Sequence, residues 1–286
     1  MSVARLPPAD TAAALLVVLL WGLNFVAGKL ALAELPPLLL TSIRFSAVAL
    51  LLAPVFRPRL VQLPRLALLA MTLGVGHFAL LFVGLRDADA GSAAVTVQLG
   101  VPFSVLLAWA CFGDRPDRRS VIGMALAFAG VALLAGGLGR ARLAPLALIA
   151  VSIFLWAVSN ILIKRLGDIP PLVINAWASA LAAPMVLALS LGFERGQWAA
   201  VTTAGWPAWA GVAFTALGSS VVAYTLWYRL LARHAVSLVV PFTLLGPVIG
   251  FVAGGLALGE TVTRSKVVGG LLTVIGVAVI ELRRKS

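Results

Sequence analysis

Ten apolar runs, each about as long as a lipid bilayer is thick, take up almost the whole chain. They fall at residues 10–32, 36–56, 65–86, 90–112, 118–137, 144–165, 170–192, 206–231, 235–258 and 264–281, and Pro36-Pro37, Pro58, Pro116, Pro170-Pro171 and Gly205 stand in the breaks. A membrane-spanning helix needs about 20 mostly apolar residues, so the pattern predicts an all-α polytopic membrane protein of about ten transmembrane helices. Composition points the same way. Of the 286 residues 62% are apolar and 11% charged, where a soluble domain carries about 25% charge. The breaks leave no room for a separate soluble catalytic domain, and a single cysteine, Cys111, excludes a disulfide framework and a cysteine-based zinc site.

The net charge of +12 is scattered in ones to threes between the runs, which argues against a nucleic-acid partner and for a code of orientation. With the N-terminus placed inside, alternate breaks collect 14 Lys and Arg on the inner side against 7 on the outer, and Arg44 lies within a span. Both termini are therefore expected in the cytoplasm. Ala31-Leu32-Ala33 looks like a signal-peptide cleavage site, but the first run is too long and contains Trp21, Asn24 and Lys29. It is expected to remain as the first span.

The chain is also duplicated. Trp21 and Lys29 recur as Trp156 and Lys164 at the same spacing, each pair followed by a double proline, Pro36-Pro37 and Pro170-Pro171. Ala90-Gly91-Ser92 ahead of Gly100-Val101-Pro102 is echoed by Ala235-Val236-Ser237 ahead of Gly246-Pro247, and Gly123 and Gly130 recur as Gly269 and Gly276 at an offset of 146. Two five-helix units are expected, at residues 10–137 and 144–281. Five is odd, so the second enters the membrane inverted. Inverted repeats are how many secondary transporters place a midplane site between two rocking halves.

The runs Trp21 to Lys29 (WGLNFVAGK), Ile43-Arg44-Phe45, Ala90-Gly91-Ser92 into Val101-Pro102-Phe103, and Leu258-Gly259-Glu260 resemble the EamA-type unit of the drug/metabolite transporter superfamily, over nearly the whole chain in both halves. Within that superfamily the chain is similar to the YddG-type bacterial exporters of aromatic amino acids. The resemblance implies a central cavity among helices 1–4 and 6–9, with helices 5 and 10 peripheral. It also implies an inner-membrane exporter of small amphipathic metabolites, aromatic and other amino acids among them. A broader exporter of other metabolites or drugs is the first alternative. A membrane enzyme is the second, although the short loops hold no cluster of titratable groups.

Gly22 to Lys29 does not meet the spacing of a phosphate-binding loop, no nucleotide motif occurs elsewhere, and no cofactor is expected. Polar residues inside spans mark candidate sites. Trp21, Asn24 and Gly28 share one helical face, and Trp156, Ser159 and Asn160 occupy the matching part of the second unit. Cavity lining is favoured for them over packing. Arg44 admits two roles, meeting a substrate carboxylate or bracing helix-end carbonyls. Lys29 and Lys164 are expected to snorkel to the headgroups. His77, Ser220, Tyr224 and Tyr228 would suit a cavity for aromatic substrates, and Gln98, Asn175 and Trp177 are weaker candidates for which packing is as good a reading. A single mid-span histidine cannot form a metal site. Pro102 and Pro247 interrupt equivalent spans and are candidate hinges, and Gly246, Gly250 and Gly254 let that span approach a neighbour closely. All ten Asp and Glu fall in loops or at span ends, so transport is expected to need no proton gradient.

Overall fold

The computed structural model describes residues 6–113, 115–136, 143–165, 169–234 and 236–281. Among these the chain forms ten long helical segments and no strand. They are α1 (Pro8–Leu32), α2 (Pro37–Leu52), α3 (Leu60–Asp87), α4 (Ala90–Phe112), α5 (Arg118–Gly136), α6 (Leu143–Arg165), α7 (Pro171–Phe193), α8 (206–233), α9 (236–258) and α10 (Arg264–Glu281). The ten apolar runs anticipate each of them within a few residues. Eight segments are long and apolar enough to cross a membrane. At 16 residues α2 is shorter, about 24 Å at the usual rise, and α10 carries Arg264, Lys266 and Glu281 near its ends.

Three glutamates outside the runs cap helices other than their own. Glu194, at the end of α7, accepts the backbone N–H groups of Leu38 and Leu39 in α2 at 2.8 and 3.0 Å. Glu260, just after α9, accepts those of Ala90 and Gly91 in α4 at 2.7 and 3.3 Å. Glu34, after α1, accepts the N–H of Gly205 ahead of α8 at 2.7 Å. All three satisfy helix-start donors and the positive end of a helix dipole at the same end of the bundle. At their C-terminal ends α4 and α9 stop at Gly113 and Gly259, which take left-handed φ of 76° and 65° that only glycine adopts cheaply.

Four central helices change type midway. Ten residues of α3 (Ala70–Ala79) and ten of α8 (Phe214–Ala223) form π-helix, at an offset of 144. Short 3₁₀ turns, Val97–Leu99 and Val240–Leu245, interrupt α4 and α9. Pro102 and Pro247 lie in the first turn of the α-helices that resume at Gly100 and Gly246. There a missing N–H costs little, and the break precedes the proline instead of following it.

Helix contacts come in matched sets. α1 packs on α8 and α9, as α6 packs on α3 and α4, while α2 packs on α7 and α5 on α10. The α5–α10 seam is glycine-lined. A Cβ on Gly123 would lie 2.6 Å from the Gly276 carbonyl oxygen, and one on Gly269 would lie 2.6 Å from the Gly130 carbonyl oxygen. Such backbone approach is possible only with small residues.

Candidate functional site

The centre is built on Arg44 of α2, which is 1% exposed. Its Nε and Nη2 both donate to Ser220 Oγ of α8, at 3.0 and 2.7 Å. Ser220 in turn donates to the Thr215 carbonyl at 2.9 Å, five residues back in the same π-segment. The wider π-turn sets the hydroxyl oxygen toward α2. The guanidinium also lies 4.2 Å from the Phe78 ring centroid and 5.5 Å from that of Phe82, both on α3, within cation–π range. Among the described residues no carboxylate pairs with it. Asn175 of α7 donates to the Ser220 carbonyl at 3.0 Å, so α2, α7 and α8 meet at one residue.

Beside this lies an aromatic group. The Trp21 ring sits 5.3 Å from Tyr224 and 5.0 Å from Trp227, both tilted. The Trp156 indole N–H, from α6, donates to the Tyr224 hydroxyl. A Cβ on Gly100 would lie 3.1 Å from the Trp156 ring, so the missing side chain makes room for the indole. Trp21 and Trp156, equivalent in the two units, thus meet the same tyrosine. Three buried polar atoms in this region have no hydrogen-bond partner among the described residues: Trp21 Nε1, Asn24 Oδ1 and Arg44 Nη1. Buried polar groups are nearly always satisfied, so three orphans together single the region out.

Ser220, Tyr224, Asn175, Phe45, Gly74 and Phe78 border a cavity of about 30 Å³. That admits a water or two and no amino acid. At the capped end of the bundle Glu34, Pro36, Arg86, Phe193 and Glu194 border a cleft of about 420 Å³. At the opposite end Asp10 and His234 pair at 2.7 Å and join α1 to α8, above buried Ala14, Leu230 and Val239.

The remaining candidates make contacts between other pairs of elements. His77 Nδ1 lies 3.0 Å from both the carbonyl and the hydroxyl of Ser152 in α6. Ser159 donates to the Leu155 carbonyl at 2.8 Å and to Thr72 of α3 at 3.1 Å. Gln98 donates to the Thr243 carbonyl of α9 at 3.2 Å. Trp177 donates to the Phe56 carbonyl at 2.7 Å, toward the 53–59 loop. Asn160 is half-buried and has no hydrogen bond among the described residues. Lys29 donates to the Arg86 carbonyl at the end of α3, at 2.9 Å. The side chains of Lys164 and Tyr228 lie outside the described residues. Sequence reasoning missed Phe82, Ser152, Thr215 and the π-segments. The spacing of four between Phe78 and Phe82 was a signal, as was the pair Leu73-Gly74 repeated as Leu217-Gly218.

A polytopic helical bundle whose central helices break midway around buried, unsatisfied polar groups is built as a membrane transporter. The EamA-like transporter family matches residues 11–136 and 143–282, and the chain belongs to that family. A probable amino-acid metabolite efflux pump of Salmonella typhimurium is 32% identical over 92% of this chain and 91% of its own. A protein of the same description from Escherichia coli is 31% identical over 93% of each. A crystal structure of another protein shares the fold, with a TM-score of 0.68 at 21% identity, covering 97% of this chain and 98% of that one.

Proposed function

We propose that the chain exports amino acids and similar small metabolites across the bacterial inner membrane, aromatic ones preferred, with both termini in the cytoplasm. Units 10–137 and 144–281 lie inverted in the membrane and alternate access to the centre between them. The observation that carries this reading is the convergence of Trp21 and Trp156 on Tyr224. It gives one small region aromatic walls from both units. The amino-acid efflux relatives favour the same substrate class. The 30 Å³ cavity corresponds to a closed centre that widens when the halves move. Substrate gradients drive transport without protons, because the described carboxylates sit at helix ends, four of them as caps.

An aromatic ring packed on an indole gains about 0.5–1.5 kcal/mol beyond area burial, roughly a three- to tenfold preference over an aliphatic side chain. Trp21→Ala and Trp156→Ala should therefore lower transport of phenylalanine and tryptophan by about that factor more than transport of alanine and threonine. Expression-normalised rates in proteoliposomes measure this. Equal loss for all four substrates would assign the two tryptophans to packing.

A further inference from the structure

We propose that Arg44, Trp21 and Asn24 bind the backbone of the substrate, with Arg44 and Trp21 holding the carboxylate and Asn24 the ammonium; this rests on the amino-acid reading above. The three orphan atoms are two donors, Arg44 Nη1 and Trp21 Nε1, and one acceptor, Asn24 Oδ1. A zwitterionic amino acid offers the complement, two carboxylate oxygens and an N–H donor. No other arrangement of unsatisfied buried side-chain atoms occurs among the described residues.

The surroundings place the three atoms on one inter-helical space. On α1, Trp21 lies against Tyr224, and a Cβ on Gly28 would lie 3.0 Å from the Phe82 ring. Asn24, between them and 7% exposed, therefore belongs to the stretch of α1 facing α3 and α8. Arg44 touches the same two helices, through the Phe78 and Phe82 rings on α3 and Ser220 on α8. Ser220 occupies the Nε/Nη2 edge of the guanidinium and leaves Nη1 free.

Charge supports the assignment. A buried cation is costly unless paired, and among the described residues Arg44 meets the Ser220 hydroxyl and aromatic faces and pairs with no carboxylate. A purely structural arginine would be expected to spend its third nitrogen on a carbonyl or a carboxylate. A substrate carboxylate supplies the missing countercharge, with charge-assisted hydrogen bonds stronger than neutral ones. The same field repels an amine that lacks a carboxylate. The site therefore selects carboxylates first and α-amino carboxylates best, leaving the aromatic group to select the side chain.

The test is competition against labelled phenylalanine in proteoliposomes. With the wild-type protein, phenethylamine should inhibit at least tenfold more weakly than unlabelled phenylalanine, and 3-phenylpropionate should fall between them. Arg44→Gln should bring phenylalanine and phenethylamine to within about twofold. Asn24→Leu should erase the preference for phenylalanine over 3-phenylpropionate. It should also leave thermal unfolding in detergent unchanged or raised, since it removes an unsatisfied acceptor. A packing role for Asn24 gives the opposite pair of results, a lower unfolding temperature and an unchanged preference. If phenylalanine is transported but phenethylamine competes equally well in the wild type, the site assignment is overturned and the export reading stands. If no amino acid is transported, both are overturned. If Arg44→Gln fails to fold, the wild-type comparison and Asn24→Leu still test the assignment.

Discussion

The seam between α5 and α10 and the centre around Arg44 come from the same duplication and have diverged to opposite degrees. At the seam the repeat keeps its contact glycines. Gly123 meets Gly276 and Gly130 meets Gly269, and the offset of 146 turns each contact into the other. Thr273, buried there, donates to the Gly269 carbonyl of its own helix at 2.8 Å. At the centre the two copies differ. The double prolines align Arg44 with Ala178 and Asn175 with Thr41, and the two π-segments align Ser220 with Gly76 and Tyr224 with Leu80. The first unit supplies the guanidinium and the second supplies the hydroxyl that accepts its hydrogen bonds. The seam can keep its symmetry because it has only to let two backbones approach. A midplane site for an asymmetric solute gains nothing from two identical walls, and there the copies have become complementary.

The largest effect is expected at the seam. Gly130→Leu places a side chain where even a Cβ would meet the Gly269 backbone, and overpacking of this kind costs about 1–3 kcal/mol or more. Detergent-solubilised protein should unfold well below the wild type, and every substrate should lose transport in proportion to the folded protein lost. A change in substrate preference instead would break the distinction between seam and centre. A smaller effect is expected from Ser220→Ala, which removes the hydroxyl that accepts both Arg44 N–H groups. Leaving a buried charged donor unsatisfied costs about 1–3 kcal/mol, and thermal unfolding should register it along with a change in selectivity. The smallest effect sharpens the comparison among tryptophans. Trp177→Phe removes one hydrogen bond to the Phe56 carbonyl and should lower stability by about 1 kcal/mol with substrate preference untouched. Trp156→Phe, which removes the indole N–H beside Tyr224, should shift the preference as well.

The fold was legible in the sequence because lipid imposes its thickness on every span. The ten runs fall within a few residues of α1–α10 for that reason. The aromatic part of the site was legible through repetition, since Trp21 and Trp156 stand out by recurring. The polar part was only half legible. Periodicity put Asn24 beside Trp21, and Arg44 stood out as a charge within a span, but nothing local indicated that Arg44 would meet Ser220, 176 residues away. The same limit sorted the weaker candidates. Ser159, Gln98, His77 and Trp177 are as polar and as deep in sequence as the others, and only the packing of α3, α6, α9 and the 53–59 loop gives them protein partners. The change from α- to π-helix was illegible for a physical reason. It exchanges one hydrogen-bond register for another in residues of ordinary helical composition.

Uptake of labelled phenylalanine, tryptophan, alanine and threonine into proteoliposomes, under a fixed substrate gradient with and without a protonophore, tests the account most directly. The expected result is saturable uptake that favours the two aromatic amino acids about three- to tenfold and is unchanged by the protonophore. Absence of saturable amino-acid uptake, or uptake abolished by the protonophore, would contradict it.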